Sequence, residues 1–258
     1  MNAIACMNAA VKLIQISDLH LMAEPASRYR GADVERSLLA VLDDIATRHA
    51  DAAALLVSGD MRQEGGIDTY HRLRGYLDEL GLPWYWVPGN HDDPQVLAQA
   101  WGAPPQAFEA GVWQVVLLDS TAHPDGQGGG ALGAPELARL DALEGARPRL
   151  LVVHHNPMPV DSPWQDPISL ANADAFWARL RQFTAPTAVL FGHTHQAWDL
   201  AREGIRLLGC PSTAVQFIKR QTEPRVVVEG EAARPGYRWV RLFDTGQLES
   251  GIARIAVA

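Results

Sequence analysis

The sequence has little cysteine, no excess of positive charge and no long apolar run. Only Cys6 and Cys210 occur among its 258 residues, which excludes a disulfide-stapled scaffold and makes a reducing cytoplasm the expected location. No apolar run approaches the roughly 18 residues that predict a membrane span, so we expect no membrane partner. The 22 basic and 30 acidic residues give a formal net charge of −8, which disfavours a nucleic-acid partner.

Strand-like and helix-like segments alternate along the chain. We expect residues 1–10 to be a flexible tail and residues 11–258 to form a single domain. Apolar runs predict strands at 11–16, 53–57, 84–87, 112–118, 150–153 and 188–191. Helical spacing predicts helices at 33–49, with Asp33 as the N-cap, and at 70–80, 94–101, 134–143 and 171–183.

The pattern changes to a β-rich one from about residue 204. Strand-like runs follow at 204–208, 225–228, 237–243 and 248–255. Alternating strands and helices with a β-rich end predict a layered α/β domain whose last strands form or extend a second sheet. The glycine-rich residues 126–130 are expected to be a flexible surface loop.

Polar residues collect where the predicted strands end, and six of the nine histidines lie in these clusters. Ligands bind at the carboxyl ends of strands in α/β sheets, so we expect the clusters to share one site. The clusters are Asp18-Leu19-His20, Gly59-Asp60, Gly89-Asn90-His91-Asp92, His154-His155 and Gly192-His193-Thr194-His195.

This set of side chains predicts bound divalent metal ions. Aspartate, asparagine and histidine without thiolate suit hard or borderline ions, among them manganese, iron and zinc. Seven ligands are too many for one tetrahedral ion, whereas two ions sharing a bridging aspartate would use them all. Paired ions about 3.5–4 Å apart serve in-line attack on phosphorus. Gly59, Gly89 and Gly192 each precede a candidate ligand, where we expect a sharp turn.

The order of the motifs resembles that of the calcineurin-like metallophosphoesterase superfamily, from about Lys12 to at least Gln216. Within it, the chain is similar to the bacterial class III cyclic nucleotide phosphodiesterases, the group of CpdA-type cyclic-AMP phosphodiesterases. The finer similarity lies in His154-His155-Asn156-Pro157-Met158-Pro159, in residues 166–170 and 210–217, and in Pro235-Gly236-Tyr237-Arg238. The resemblance implies a layered α/β sandwich of two mixed β-sheets flanked by helices.

The resemblance also implies which residues hold each ion. One ion would be held by Asp18, His20 and His195, the other by Asn90, His154 and His193, and Asp60 would bridge the two. His155 is the alternative to His154, because either residue can be placed in register with the family's ligand. The chain departs from many relatives after Gly59-Asp60, where Arg62 is expected to alter the mouth of the site.

The function implied is the hydrolysis of 3′,5′-cyclic AMP to 5′-AMP. In this hypothesis a hydroxide bridging the two metals attacks phosphorus, and Asn90 stabilises charge on the phosphoryl oxygens. His91 would protonate the leaving O3′, with its ring oriented by Asp92. Asn90 and His91 would therefore contact the substrate. Further candidates for substrate contacts are Thr194 and Gln216, and for stacking on a base Trp164 or Phe217.

Other functions remain open at this stage. The same metals would serve a broader phosphodiesterase acting on glycerophosphodiesters, or a nuclease or nucleotide pyrophosphatase, although the acidic balance disfavours nucleic acid. An inactive binding scaffold is less favoured because every motif position is filled. We expect a small cyclic nucleotide or another phosphodiester as the partner, and a monomer or a homodimer.

Overall fold

The computed structural model describes residues 10–143 and 146–257. Apart from Ala10, the predicted tail lies outside the described residues. The strands are β1 (Ala10–Ile16), β2 (Ala54–Ser58), β3 (Trp84–Val87), β4 (Ala107–Ala110), β5 (Trp113–Leu118), β6 (Arg149–Val153), β7 (Thr187–Phe191), β8 (Trp198–Arg202), β9 (Ile205–Gly209), β10 (Gly236–Phe243) and β11 (Leu248–Arg254). The helices are α1 (Val34–Arg48), α2 (Ile67–Glu79), α3 (Pro94–Trp101), α4 (Ala134–Asp141) and α5 (Ala173–Leu180).

The strands form two mixed sheets, as the family resemblance implies. The first has the order β11-β10-β1-β2-β3, in which β1, β2 and β3 run parallel. The second has the order β4-β5-β6-β7-β9-β8, in which β5, β6, β7 and β9 run parallel. The β-rich end does not form a sheet of its own. Instead, β8 and β9 complete the second sheet, whereas β10 pairs antiparallel with β1 and carries β11 on its other side.

The two sheets pack face to face between two layers of helices. Successive side chains of a strand point to opposite faces, and β2 shows the result. Its Leu56 packs between the sheets against residues of β5 and β6, whereas Leu55 and Val57 pack against α1, α2 and α3. On the far side, Val116 and Leu151 of the second sheet pack against α4 and α5. Strands buried on both faces read as continuous apolar runs, which is why they are visible in the sequence.

Several boundaries follow local signals. Asp33 caps α1 as predicted, because its carboxylate accepts the backbone N–H of Arg36 at 3.1 Å. The predicted bounds of β3 and α3 are those observed. Helix α2 begins at Ile67, three residues before the predicted start at Tyr70.

The predicted strand at 225–228 is wrong. In the described structure this segment has only an isolated bridge between Val226 and Phe217, and Val228 is 85% exposed. Its apolar residues lie on the surface beside a loop instead of entering a sheet. The short strands β4 and β8 were not predicted. No helix within the described ranges is both long and apolar enough to cross a membrane. A single domain over 11–258 stays a prediction.

Candidate metal centre

The carboxyl ends of five parallel strands meet at one place, with β1, β2 and β3 from the first sheet and β6 and β7 from the second. Backbone bonds join neighbouring loops, as in His20 N–H to the Asp60 carbonyl at 2.9 Å. Other bonds cross between the sheets. The N–H of His193 donates to Asp18 Oδ1 at 3.0 Å. The five polar clusters that were expected to share a site therefore do lie together.

Five of the seven predicted metal ligands have left-handed backbone conformations. Their φ angles are 55° at Asp18, 49° at His20, 52° at Asp60, 65° at His193 and 53° at His195. A left-handed backbone conformation costs about 1–3 kcal/mol at a residue other than glycine. Such strain persists only where the surrounding structure holds the residue in place, and it is typical of functional sites. The chain thus turns sharply at the ligands themselves.

The preceding glycines serve two different purposes. Gly59 adopts a φ of 92°, in agreement with the predicted turn, and a Cβ there would also strike Nδ1 of His154. Gly89 and Gly192 are required for close approach alone. A Cβ at Gly89 would strike Oδ1 of Asp60, and one at Gly192 would strike Oγ of Ser17.

The first cluster consists of Asp18, His20, Asp60 and His195, whose candidate ligand atoms lie within 4.8 Å of one another. The Nδ1–H of His20 donates to Gln63 Oε1 at 2.9 Å, and the Nδ1–H of His195 donates to the Val215 carbonyl at 2.8 Å. These partners assign the tautomers. The two Nε2 atoms then face each other as bare lone pairs, 2.9 Å apart. Such an arrangement fits a cation placed between the two rings.

The second cluster consists of Asn90, His154 and His193, with Asp60 at its border. Oδ1 of Asn90 lies 2.9 Å from His193 Nδ1 and 3.1 Å from His154 Nε2. The other nitrogen of His154 donates to the Ser58 carbonyl at 2.8 Å. Asp60 lies between the clusters, since His154 Nε2 is 3.4 Å from its Oδ1 and His20 Nε2 is 3.7 Å from its Oδ2.

Burial governs the electrostatics of both clusters. It raises the pKa of Asp18 to about 7, lowers the pKa of His20 to about 4, and lowers the pKa of His193 and His195 well below the usual histidine value. These three imidazoles are therefore neutral, as metal ligands must be. Burial opposes the charge on His154 too, but the Asp60 carboxylate outweighs it and raises the pKa of His154 to about 9.

The donor set fits divalent ions. Asp18 Oδ2 and His193 Nε2 are buried and have no hydrogen-bond partner in the described part of the chain. Three neutral imidazoles, an amide oxygen and two buried carboxylates converge there. The raised pKa of His154 gives Asp60 a cationic neighbour, and because His154 must lose that proton to bind a metal, a bound cation would replace the charge that compensates the carboxylates. Two clusters that share Asp60 match two ions better than one.

The geometry also separates His154 from His155. His155 lies close enough to His154 and His193 to form a triad of possible ligands. However, its Nε2–H donates to the Gly128 carbonyl at 3.1 Å, and its Nδ1 accepts from the Ser120 hydroxyl at 2.7 Å. Both ring nitrogens of His155 are thus occupied, whereas Nε2 of His154 faces the clusters. This supports His154 as the ligand.

Asp92 does not have the role expected from its position. Its carboxylate accepts the backbone N–H groups of Gly89 at 2.9 Å and Met61 at 3.1 Å, and the Tyr70 hydroxyl at 3.1 Å. Among the described residues, no hydrogen bond joins Asp92 to the His91 ring. It fixes the backbone of two loops instead of orienting that imidazole. The His91 ring lies edge-on to His20, with centroids 4.9 Å apart.

A cleft of about 410 Å³ opens over both clusters. His91, Asn90, Trp164 and Phe217 line it as the sequence suggested. Thr194 and Gln216 are not among its lining residues and are 0% and 2% exposed. The Gln216 amide donates to the Ser212 carbonyl, whereas the Thr194 hydroxyl and the Gln216 amide oxygen have no hydrogen-bond partner in the described part of the chain. Their contact with substrate stays a prediction.

Several lining residues were missed or misjudged. Tyr29 and Arg30 line the cleft although no motif marks them. The glycine-rich loop, expected to be flexible, forms one wall. It is held by Asp125 Oδ1, which accepts the N–H groups of Gln127, Gly128 and Gly129 at 2.7–3.0 Å. Arg62 does not line the cleft, because it bonds to the Tyr70 hydroxyl and the Gly65 carbonyl.

Comparison with known proteins agrees with this geometry. The model of the family described as calcineurin-like phosphoesterase matches residues 11–197. The chain is 38% identical over 257 residues to the 3′,5′-cyclic adenosine monophosphate phosphodiesterase CpdA of Pseudomonas aeruginosa, covering 96% of this chain and 91% of that protein. It is 31% identical over 252 residues to a 3′,5′-cyclic-nucleotide phosphodiesterase of Nostoc sp., covering 95% of this chain and 92% of that protein.

A solved structure supports the fold. The chain is similar to a dimetal phosphatase from Danio rerio with a TM-score of 0.64 at 14% identity, covering 95% of this chain and 99% of that one. At that identity the likeness speaks for the sandwich architecture alone. The family match over residues 11–197 and the two relatives aligned over nearly the whole chain go further. This chain belongs to the calcineurin-like phosphoesterase family.

Proposed function

We propose that this chain hydrolyses 3′,5′-cyclic AMP to 5′-AMP with two divalent ions. The observation that carries the proposal is the pair of bare Nε2 atoms of His20 and His195, 2.9 Å apart, beside a second cluster that shares Asp60. The named activity of relatives aligned over more than 90% of both chains supports the choice of substrate.

The residues would divide between the ions as follows. Asp18, His20 and His195 would hold one ion, Asn90, His154 and His193 the other, and Asp60 would touch both. When bound, the ions supply Lewis acidity toward water and toward the phosphoryl oxygens. The hydrogen bonds from His20 to Gln63, from His195 to Val215 and from His154 to Ser58 fix the tautomers and aim the ligand nitrogens inward.

His91 and Asn90 would act on the substrate itself. Attack of water oxygen on phosphorus breaks the bond from phosphorus to O3′, and O3′ must then gain a proton. The His91 imidazole lines the cleft and would donate that proton. Asn90 would help to hold the phosphoryl oxygens beside its own cluster. Asp92 would keep the loop in position through Gly89 and Met61.

The cleft suits a small substrate. Its volume of about 410 Å³ falls within the roughly 300–1,000 Å³ of small-molecule sites. Its wall carries the aromatic side chains of Tyr29, Trp164 and Phe217. These three aromatic rings can face a base while the phosphate lies over the two clusters of candidate metal ligands. The cytoplasmic location suggested by the sequence stays a prediction.

A substrate panel tests the proposal. The metal-loaded protein is assayed with cyclic AMP, bis-p-nitrophenyl phosphate and a glycerophosphodiester, while bound metal is measured in parallel. We expect about two ions per chain and the highest kcat/KM for cyclic AMP. A higher kcat/KM for the glycerophosphodiester would assign the broader phosphodiesterase instead, and a protein that retains no divalent ion would favour a binding scaffold.

A further inference from the structure

Arg30 places a single positive charge on the wall of the cleft. Among the described residues that line the cleft, it is the only lysine or arginine. The chain as a whole is acidic, with a formal net charge of −8. A cation at this position therefore gives the cleft a local attraction for an anion that the net charge of the chain does not supply.

The backbone at Arg30 does not favour an arginine. Tyr29 and Ala32 exchange two backbone hydrogen bonds, at 3.1 and 2.9 Å, so Arg30 and Gly31 are the central residues of a two-residue turn. Their φ angles are 47° and 86°, the combination of a type I′ turn. The first central position of that turn favours asparagine, aspartate or glycine. The turn itself gives no reason for arginine, so the side chain must supply one.

The guanidinium group is held in place by two aromatic rings. Its Nε–H donates to the Tyr29 hydroxyl at 3.2 Å, and Cζ lies 5.6 Å from the Tyr29 ring and 5.2 Å from the Phe217 ring. These rings in turn pack on candidate metal ligands. The Tyr29 ring stacks on the His20 ring with centroids 4.5 Å apart, and the centroids of the Phe217 and His195 rings are 4.7 Å apart. Arg30 is thus separated from the first cluster by one ring on each side.

The terminal amino groups of Arg30 remain free to donate. In the described part of the chain no ion pair involves Arg30, and its only side-chain hydrogen bond uses Nε. A planar guanidinium with two open amino groups matches the paired oxygens of a phosphate. Because Nε and the rings already fix its plane, binding would cost little additional side-chain entropy.

We propose that Arg30 is a substrate-binding residue whose terminal amino groups donate to a phosphoryl oxygen of the bound phosphodiester. The inference rests on the proposed function for the place of the phosphate over the two clusters. The Arg30 guanidinium would give the substrate a charged contact in addition to the contacts of the metal ligands and His91. The contact is made in the ground state and the transition state alike, so it acts on KM more than on kcat.

Three variants test this assignment in the metal-loaded protein. Arg30→Gln removes the charge, and Arg30→Asn removes it while suiting the turn. Arg36→Gln is the matched control, because Arg36 lines a neighbouring cavity with Arg30 but not the cleft. Arg28 would be a poorer control, since its side chain donates to the Gly31 carbonyl in the turn of Arg30. KM and kcat are measured with cyclic AMP and with bis-p-nitrophenyl phosphate, which carries no base. Calorimetry gives the affinity for inorganic phosphate, and thermal unfolding gives the melting temperature.

Both Arg30 variants should raise KM roughly 10- to 100-fold with both substrates and weaken phosphate binding by a similar factor, the usual size of a hydrogen bond to a charged group. Arg30→Asn should melt no lower than the wild type, and Arg36→Gln should leave every constant nearly unchanged. Unchanged KM for both substrates would overturn the assignment. A loss confined to cyclic AMP would also overturn it, since Arg30 would then contact the nucleoside. If the wild type cleaves bis-p-nitrophenyl phosphate but not cyclic AMP, the proposed substrate fails while the Arg30 test still stands.

Discussion

The backbone N–H of His91 donates to Oδ1 of Asp60 at 2.9 Å. The candidate general acid and the carboxylate between the two clusters are therefore joined directly, across the loops that follow β2 and β3. Asp60 also reaches His20 on one side and His154 on the other. A change at Asp60 should thus be felt in both clusters and in the loop of the general acid.

Asp60→Ala should abolish binding of both ions, because each cluster loses the carboxylate that the two share. His193→Ala should remove a ligand from the second cluster alone and leave about one ion per chain. Metal content after dialysis against a fixed concentration of free manganese measures the difference. An Asp60→Ala protein that still binds as much metal as the wild type would show that the clusters do not share this residue.

His91→Ala should lower the turnover of cyclic AMP by roughly 10²–10⁴, the usual contribution of a general acid. Metal content should be unchanged, because the His91 ring is not among the candidate ligands. His71→Ala is the control, since His71 is exposed on α2. If turnover by His91→Ala equals that of His71→Ala, His91 has no part in the reaction.

His154→Ala and His155→Ala should differ in bound metal at saturating concentration. The first should keep about one ion per chain and the second about two, because His155 already uses both ring nitrogens on Ser120 and Gly128. The second variant should instead loosen the loop that carries Gly128. The reverse order of metal contents would move the ligand to His155.

Tyr70→Phe should lower the free energy of unfolding by about 1–3 kcal/mol. The buried Tyr70 hydroxyl donates to Asp92 Oδ1 at 3.1 Å and accepts from Arg62 Nε at 2.9 Å, so its loss leaves buried polar groups unpaired. Tyr85→Phe is the control, because Tyr85 stacks on Phe108 through its ring and should change stability by less than about 0.5 kcal/mol. Denaturant unfolding measures the free energy of unfolding of both variants. Equal losses would show that the Tyr70 hydroxyl contributes no more to stability than the Tyr85 hydroxyl.

The convergence of the five polar clusters is predictable from the sequence because each cluster follows an apolar strand whose last residues are buried. Such strands are visible as apolar runs, and their carboxyl ends converge in any parallel sheet. Helix α3 was placed at its observed bounds because Pro94 occupies its first turn and Gly102 follows its last residue. Local signals of this kind need no knowledge of distant contacts.

The remaining features depend on contacts between distant parts of the chain. Periodicity shows which faces are buried but not which strands are neighbours, so the pairing of β10 with β1 was not foreseen. Tyr29 and Arg30 enter the cleft from a tight turn that carries no motif. Asp92 was given the wrong partner because its adjacency to His91 in sequence said nothing about Met61 and Tyr70.

Anomalous diffraction from crystals of the metal-loaded protein would locate the ions themselves. We expect two ion peaks on either side of Asp60, each about 2.0–2.2 Å from its ligand nitrogens. One peak should lie between Nε2 of His20 and Nε2 of His195, and the other beside Asn90 Oδ1 and His154 Nε2. A single peak, or peaks away from Asp60, would show that Asp60 does not join two metal sites.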